Sequence, residues 1–544
     1  MNSPMLCLAA IILMSGSPAF ISSRESSSAD SSIAESSPAA KRQRSLDLSP
    51  FDFGWKKARS GEERFEVLYN THCAAVAKGV DVDYKGIGYA ELAIPQDARS
   101  IPLTKHNDFK GATLRVVSTT KPFTLFSRSA TFKPVNVSGK QIDDADFREV
   151  GQLSSGLWIL AIQDETPWVK QRGTRPYGAT RRDICLVRDG LGSNGPCAPY
   201  DTPATKVKAR FCQASDEEKT FCNLNFVRAE ESSKKVMLMS ISGQNNFHIS
   251  NVTVKTPQNS GWNGDYTISI NWCTNILCED ISFDGTYSLR DKYGYGISCN
   301  GVWNSVFRRI SSNCAWGVFG NNNTHDSVLE DSEVERFDTH CYGRNITVRR
   351  CTLLGRGVPV ASIFGTILVE DCYLEKCHPY TCRDDYYTYV PFELVVRNCV
   401  MAPKYNHVFR MGKLNAKIHE RPENVAKNWP NVLIENLTVK VPRDADKMIL
   451  FQITNGKDEY GKPLEHMSSV RIDGMRFEYE EGCKPVPLYL CRFPVKTKGC
   501  LNIDIRNLDL VGDSLSGGPA PEIVVNLHGE SDNFNIDYPK TKVL

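Results

Sequence analysis

At 544 residues, with 41% apolar, 10% aromatic and 24% charged residues, the chain is long enough to bury a large core. Its formal charge of +2 removes any bulk electrostatic argument for nucleic acid as a partner. No stretch is long and apolar enough to predict a transmembrane span.

Residues 1–19 read as a secretory signal peptide: an apolar run over 6–14 precedes the small-x-small string Ser17-Pro18-Ala19, although the amino end lacks Lys and Arg. Residues 20–50 are rich in Ser and Ala and read as a flexible tether, with the basic string Lys41-Arg42-Gln43-Arg44 inside it. Together they predict a secreted, periplasmic or cell-surface protein. Residues 51–128 carry strand signals at 90–94, 113–117 and 123–126, expected to form an N-terminal cap and the first coils of a solenoid. Residues 129–235 break the pattern and read as an inserted β-rich segment, with Trp158-Ile159-Leu160, a basic stretch over 170–182 and several cysteines.

From 236 to 544 one string recurs: apolar, any, polar, apolar, any, apolar. Its polar position falls at Asn251, Asp280, Arg309, Asp331, Arg350, Asp371, Asn398, Asn436, Gly474 and Asn507. The columns two before, one after and three after this marker stay apolar through all ten turns, except at Ser312 and Ser332. A strand-like core repeating every 20–40 residues or so predicts stacked coils, none of which buries its inner face alone. Coil length varies, falling to 22, 19 and 21 residues between Arg309 and Asp371 and reaching 38 later, as expected where extra residues leave as loops between strands. The final strand is expected over 522–526. The pattern resembles the right-handed parallel β-helix superfamily, which includes pectate lyases, alginate lyases and epimerases, and several glycoside hydrolases. The resemblance implies an all-β right-handed parallel β-helix solenoid with an insertion near its N-terminal end. It specifies fold far more than chemistry.

Nineteen cysteines in a secreted chain would ordinarily suggest disulfides. Yet Cys351, Cys372 and Cys399 occupy an inward column, where a free thiol serves as a small hydrophobe, and Cys278 occupies another. Disulfides are expected instead among Cys185, Cys197, Cys212 and Cys222, and between Cys377 and Cys382. No pair of cysteines has zinc-site spacing, and no cofactor is expected.

The three shortest coils lie together, so longer neighbours should wall a groove floored by about residues 297–371. Two polar strings fall there: Asn321-Asn322-Asn323-Thr324-His325, and Phe337-Asp338-Thr339-His340-Cys341-Tyr342-Gly343-Arg344. In a strand Asp338, His340 and Tyr342 share the outward face, with Arg344 beyond them. The string resembles the Asp-Pro-His motif of β-helix alginate epimerases, with Thr339 in place of the proline. Part of the Asn run is expected to form amide ladders between coils, and His325 is equally readable as a turn residue. Arg383, Tyr386 and Tyr387 in the next longer coil suggest a sugar platform, and His407 and Arg410 add positive charge further along.

One Asp among His, Tyr and Arg suits calcium poorly. It suits a metal-free lyase acting on an acidic polysaccharide, the expected partner. There His340 is general base, Tyr342 proton donor, Arg344 and Asn322 neutralise the substrate carboxylate, and Asp338 orients His340. A glycoside hydrolase needs a second carboxylate beside Asp338, with Asp326, Glu333 and Glu335 as candidates. An epimerase shares the proton-abstraction step. A non-catalytic adhesive β-helix would carry an aromatic stripe over many coils.

Overall fold

The structure is a computed structural model and describes residues 47–117, 121–165, 169–172, 175–179, 181–196, 200–201, 206–229, 236–256, 266–285, 295–313, 319–339, 343–360, 363–379, 381–382, 393–404, 406–411, 431–453, 465–483, 486–492, 498–511, 523–525, 533–537 and 541–543. The expected signal peptide and nearly all of the tether lie outside them.

The columns read in sequence are columns in space. Ile249, Cys278, Phe307, Leu329, Val348, Val369, Val396, Ile434, Ile472 and Ile505 are successive Cα partners in one parallel ladder. None is more than 1% exposed. The chain is thus an all-β, right-handed parallel β-helix, its core a continuous stack of inward side chains.

The marker column has a backbone cause. All ten markers have positive φ, from 50° at Asn251 and Asp331 to 78° at Gly474. Each coil turns a left-handed corner there, which Asn, Asp and Gly tolerate best. Arg309 and Arg350 are the exceptions in type. Each lies on the carboxylate of the preceding corner, with Nε donating to Asp280 and Asp331 at 2.7 Å. Amide ladders of the expected kind join Asn251 to Asn223 (2.7 Å) and Asn436 to Asn398 (3.1 Å). The two serines that interrupt the apolar columns are buried and bonded: Ser332 donates to the Glu330 carbonyl, and Ser312 to Glu335.

The solenoid begins before the insertion and resumes sooner than expected. Lys219–Arg228 pairs in parallel with His106–Val117 on one side and Asn245–Lys255 on the other. Its corner is Asn223, at φ 61°, flanked by buried Phe221, Leu224 and Phe226. The insertion therefore ends before Lys219, not at 235.

The open N-terminal end is closed by the helix Gly61–Lys78, which the strand signals did not reveal. Its first turn carries a capping box from Ser60 and Glu63. Its buried face includes His72, whose Nδ1–H donates to the Pro102 carbonyl (2.8 Å) while the Tyr84 hydroxyl donates to Nε2 (2.5 Å). Burial pushes the His72 pKa from 6.5 down to about 4. Between these values the unfolded chain binds a proton that the folded cap refuses, so stability falls as pH drops from 6.5 towards 4. We expect a loss of about 3 kcal/mol over that window. Thermal unfolding of wild type and His72→Leu at pH 7.5 and 4.5 checks this: the variant should lose that increment of acid sensitivity.

The insertion folds on its own antiparallel sheet, in the order Leu191–Gly192, Arg182–Arg188, Leu157–Asp164, Val207–Gln213 and Lys133–Val135. One face holds a core with Leu160, Ile162, Val187 and Phe211. The other packs Ile159, Ala161, Ile184 and Leu186 against Trp272 of the solenoid, with Trp303 beside it. The disulfides expected here do not form. Cys185, Cys212 and Cys222 are free thiols, one in the insertion core, one against the solenoid and one on a solenoid strand. Cys377 is likewise a free thiol, buried in the solenoid core. Cys197 and the Cys382 side chain lie outside the described residues. The inward thiols of Cys351, Cys372 and Cys399 donate to carbonyls of their own coils at 3.1–3.2 Å.

Strand Ile523–Val525 forms where expected but is not the final one, because Asn533–Ile536 and Thr541–Val543 follow it. Among the described residues no helix is long and apolar enough to cross a membrane.

Three phenylalanines fill the core beneath the short coils. The Phe319 ring meets Phe307 and Phe337 edge-on, at centroid distances of 5.3 and 4.8 Å. All three are at most 1% exposed. Phe319→Ala should therefore cost about 3–5 kcal/mol, read as a lowered urea midpoint.

Candidate functional site

The short coils are not an open groove along their whole width. The first short coil and the two coils before it each pass through two further left-handed corners, at Asn323 and Asp326, Gly301 and Asn304, and Trp272 and Asn275. Gly301 is required where it stands, because a Cβ there would meet the Trp272 ring at 2.8 Å. The insertion sits on this band. The Arg182 amide donates to Asn323 Oδ1 (3.1 Å), and His325 Nδ1 lies 3.7 Å from Asp183. Asp183 accepts from the Tyr200 hydroxyl (2.7 Å), and Arg181 stacks 3.5 Å over the Tyr200 ring. Burial, first, and the Asp183 charge hold the Tyr200 phenol far above its ordinary pKa, so it stays a donor. Arg344 is spent in the same way: it donates to Asp326 (2.5 Å) and to the Gly195 carbonyl (2.6 Å). Asn323, His325 and Arg344, expected to meet substrate, instead fasten the insertion to the solenoid.

A second cluster lies beside this band, where the coils approach 340–342. Phe337 points inward as the strand period predicts, and Asp338 is the next residue along. Asp338 is nevertheless only 1% exposed, so it is not on the solvent-facing row that the alternation suggested. Arg336 is the reason. A register shift between Val334 and Arg336 breaks the period-2 phase and lays the guanidinium 3.0 Å from the Asp338 carboxylate. The Asn321 amide N–H donates to the other carboxylate oxygen at 3.3 Å. Arg336 also sits 4.9 Å over the ring of Tyr295, which stacks on Tyr266 of the preceding coil at 5.6 Å and 17°. The Tyr295 ring lies on Gly320, where a Cβ would approach it to 2.7 Å. Asn322 is half-buried and in register with Asn300.

This cluster is continued along the solenoid axis. Phe337 donates to the Gly357 carbonyl, and Pro359–Val360 pairs with Thr381–Cys382, which pairs with Arg410. At about 4.8 Å per strand, Arg410 lies roughly 15 Å along the same face. The strand His407–Met411 also carries His407, whose ring stacks on His378 at 4.5 Å. His340, Tyr342, Arg383, Tyr386 and Tyr387 lie outside the described residues, as does the side chain of Arg410.

The carboxylates of these coils are engaged. Asp326 accepts from Trp303, Arg344 and Asn345 at 2.9, 2.5 and 2.7 Å. Glu330 pairs with Arg349 and Arg350, Glu335 with Ser312, and Asp338 with Arg336. Glu333 is exposed.

Sequence reasoning missed Arg336, Tyr266, Tyr295 and the relay of Arg181, Asp183 and Tyr200. The tyrosines had a signal: they are spaced 29 residues apart, as are the markers Asp280 and Arg309 of the same two coils. The relay had none, because it exists only once the insertion docks.

No protein-family model matches the chain, and no curated protein is similar to it in sequence. Similar solved structures include the tailspike of Pseudomonas phage phi297, at 9% identity and a TM-score of 0.47, covering 91% of this chain and 82% of that one. The tailspike of Acinetobacter baumannii bacteriophage AP22, solved in complex with A. baumannii capsular saccharide, shares 11% identity at a TM-score of 0.42, covering 92% and 76%. A family 28 exopolygalacturonase of Yersinia enterocolitica shares 9% identity at a TM-score of 0.35, covering 91% and 78%.

Proposed function

We propose that the chain cleaves a uronic-acid-containing polysaccharide by metal-independent β-elimination, on the face that carries Tyr266, Tyr295 and the Arg336–Asp338 cluster. The observation that carries this reading is the stacked tyrosine pair in line with the Arg336–Asp338 cluster along the solenoid axis. An axial row of aromatic and polar side chains suits a polymer better than a single small ligand.

His340 takes the proton beside the substrate carboxylate, and the electron pair left behind forms the new carbon–carbon double bond. The glycosidic carbon–oxygen bond breaks, and Tyr342 protonates the departing oxygen. The Asn322 amide faces the substrate carboxylate. Asp338, fixed by Arg336, orients the start of the 340–342 segment, and Arg344 positions its far end. The engagement of Asp326, Glu330, Glu335 and Asp338 supports elimination over hydrolysis, which needs two carboxylates free to act on the bond.

Ultraviolet absorbance during incubation with pectate, alginate, chondroitin, heparan and hyaluronan tests the proposal. An absorbance rise with one polymer, from the unsaturated uronate, is the expected result. New reducing ends without absorbance would transfer the assignment to a hydrolase. Inversion at the uronate without cleavage would identify an epimerase. Retained binding with no chemistry would leave an adhesive β-helix.

A further inference from the structure

A cleft of about 690 Å³ opens where the end of the cap helix, the first solenoid strands and the last strand of the insertion meet. Its lining includes Arg128, Ser129, Ser215, Lys219, Gln244 and Asn245. Lys219 is 7% exposed, and Arg128 is half-buried. Among the described residues neither cation has a carboxylate within ion-pair distance. Arg128 donates to the carbonyls of Leu103 (2.8 Å) and Thr104 (2.9 Å) and to Gln244 Oε1 (3.1 Å). These bonds use Nη1 and Nε and leave Nη2 to the cleft. Lys219 donates to the carbonyls of Glu217 (3.0 Å) and Asn245 (3.1 Å), which leaves one N–H. The Glu217 carboxylate turns outward to Lys105 instead, at 3.1 Å.

Two cations in one sheltered cleft repel each other and lose hydration. Both are held below their ordinary pKa by burial, and Lys219 further by the charge of Arg128. Such an arrangement is relieved by an anion placed between them. The rest of the lining combines hydroxyl and amide groups with the apolar side chains of Val76, Leu103, Ala130 and Ala214, and the volume falls within the range of small-ligand sites.

We propose that this cleft binds the carboxylate of an acidic saccharide between Arg128 and Lys219, with sugar hydroxyls on Ser129, Ser215 and Gln244. It is a binding site separate from the tyrosine face and does not depend on elimination chemistry there. A planar carboxylate matches the guanidinium edge. The charge is confined to one cleft rather than spread as a stripe, so a nucleic acid backbone does not fit it.

The test is calorimetric titration of the full chain carrying His340→Ala, so that no substrate is consumed, with trigalacturonate and with neutral maltotriose. We expect saturable uronate binding at the cleft, weakened on the order of tenfold in Arg128→Gln. Ser129→Trp fills the cleft from an exposed position and should remove the site without disturbing the fold. Maltotriose should not compete. Unchanged stoichiometry and affinity in both variants, equal binding of maltotriose, or no saturable uronate binding would each overturn the proposal. Cleft binding in a wild-type chain (His340 intact) that shows no lyase activity on any of the polymers would sink the catalytic reading alone. Turnover in a chain whose titration ignores Ser129→Trp would sink this one alone.

Discussion

Arg336→Leu should destabilise the protein by about 3–5 kcal/mol, among the largest effects of any substitution on the solenoid face. The wild-type guanidinium and the Asp338 carboxylate are both almost fully inaccessible and 3.0 Å apart. Neither charge is stable there without the other, because each has surrendered most of its hydration. With the cation gone, the carboxylate is left buried without its partner, and that uncompensated charge is the cost. The double variant Arg336→Leu, Asp338→Leu removes both charges and should recover most of the loss. Urea unfolding of the two single variants and the double variant checks the pair directly. A single variant with wild-type stability would mean that the pair contributes nothing, and that Asp338 is held by its other bonds.

Much of the fold was legible because a β-helix writes its core as columns. Ile249 to Ile505 could be aligned by eye, and the left-handed corners explain why the aligned polar position is Asn, Asp or Gly in eight of its ten appearances, the other two being arginines with carboxylate partners one coil earlier. The earlier coil at Asn223 obeys the same string, but it is isolated from the rest by the segment around 230 and was assigned to the insertion. His106–Val117 bends through two residues, Lys110 and Gly111, both at positive φ, and so departs from the string altogether.

The candidate site was less legible, and for a different reason. Strand parity tells on which side of a sheet a side chain emerges, but not what covers it there. Parity gives Asp338 the outer side, yet the residue is enclosed by Arg336 and the backbone of Asn321. His325 and Arg344 emerge where the insertion lands, and a contact between distant chain segments leaves no local pattern. Asn323 is both a corner residue and an insertion contact, and of the two expectations for it only the amide ladder, to Asn300, is seen.

His340→Ala should abolish turnover while leaving saccharide binding nearly intact. A positioned general base contributes on the order of 10²–10⁴ in rate, so the variant should fall by that factor in kcat with KM little changed. The contrast with two neighbours gives the experiment its force. His325→Gln acts on the contact with Asp183 and should loosen the insertion, lowering thermal stability before it touches kcat. Asp338→Asn keeps the shape of the Arg336 partner while removing its charge, so an intermediate loss of kcat with a shifted pH profile is expected of a positioning residue. If His340→Ala retains full activity and His325→Gln loses it at unchanged stability, the base belongs under the insertion, and the relay of Tyr200, Asp183 and His325 becomes the catalytic assembly. A base must exchange its proton with substrate and solvent within each turnover. His325 has no exposed surface in this arrangement, whereas His340 directly follows a segment that ends at the edge of the tyrosine face, and on that ground His340 is the residue expected to fail the assay.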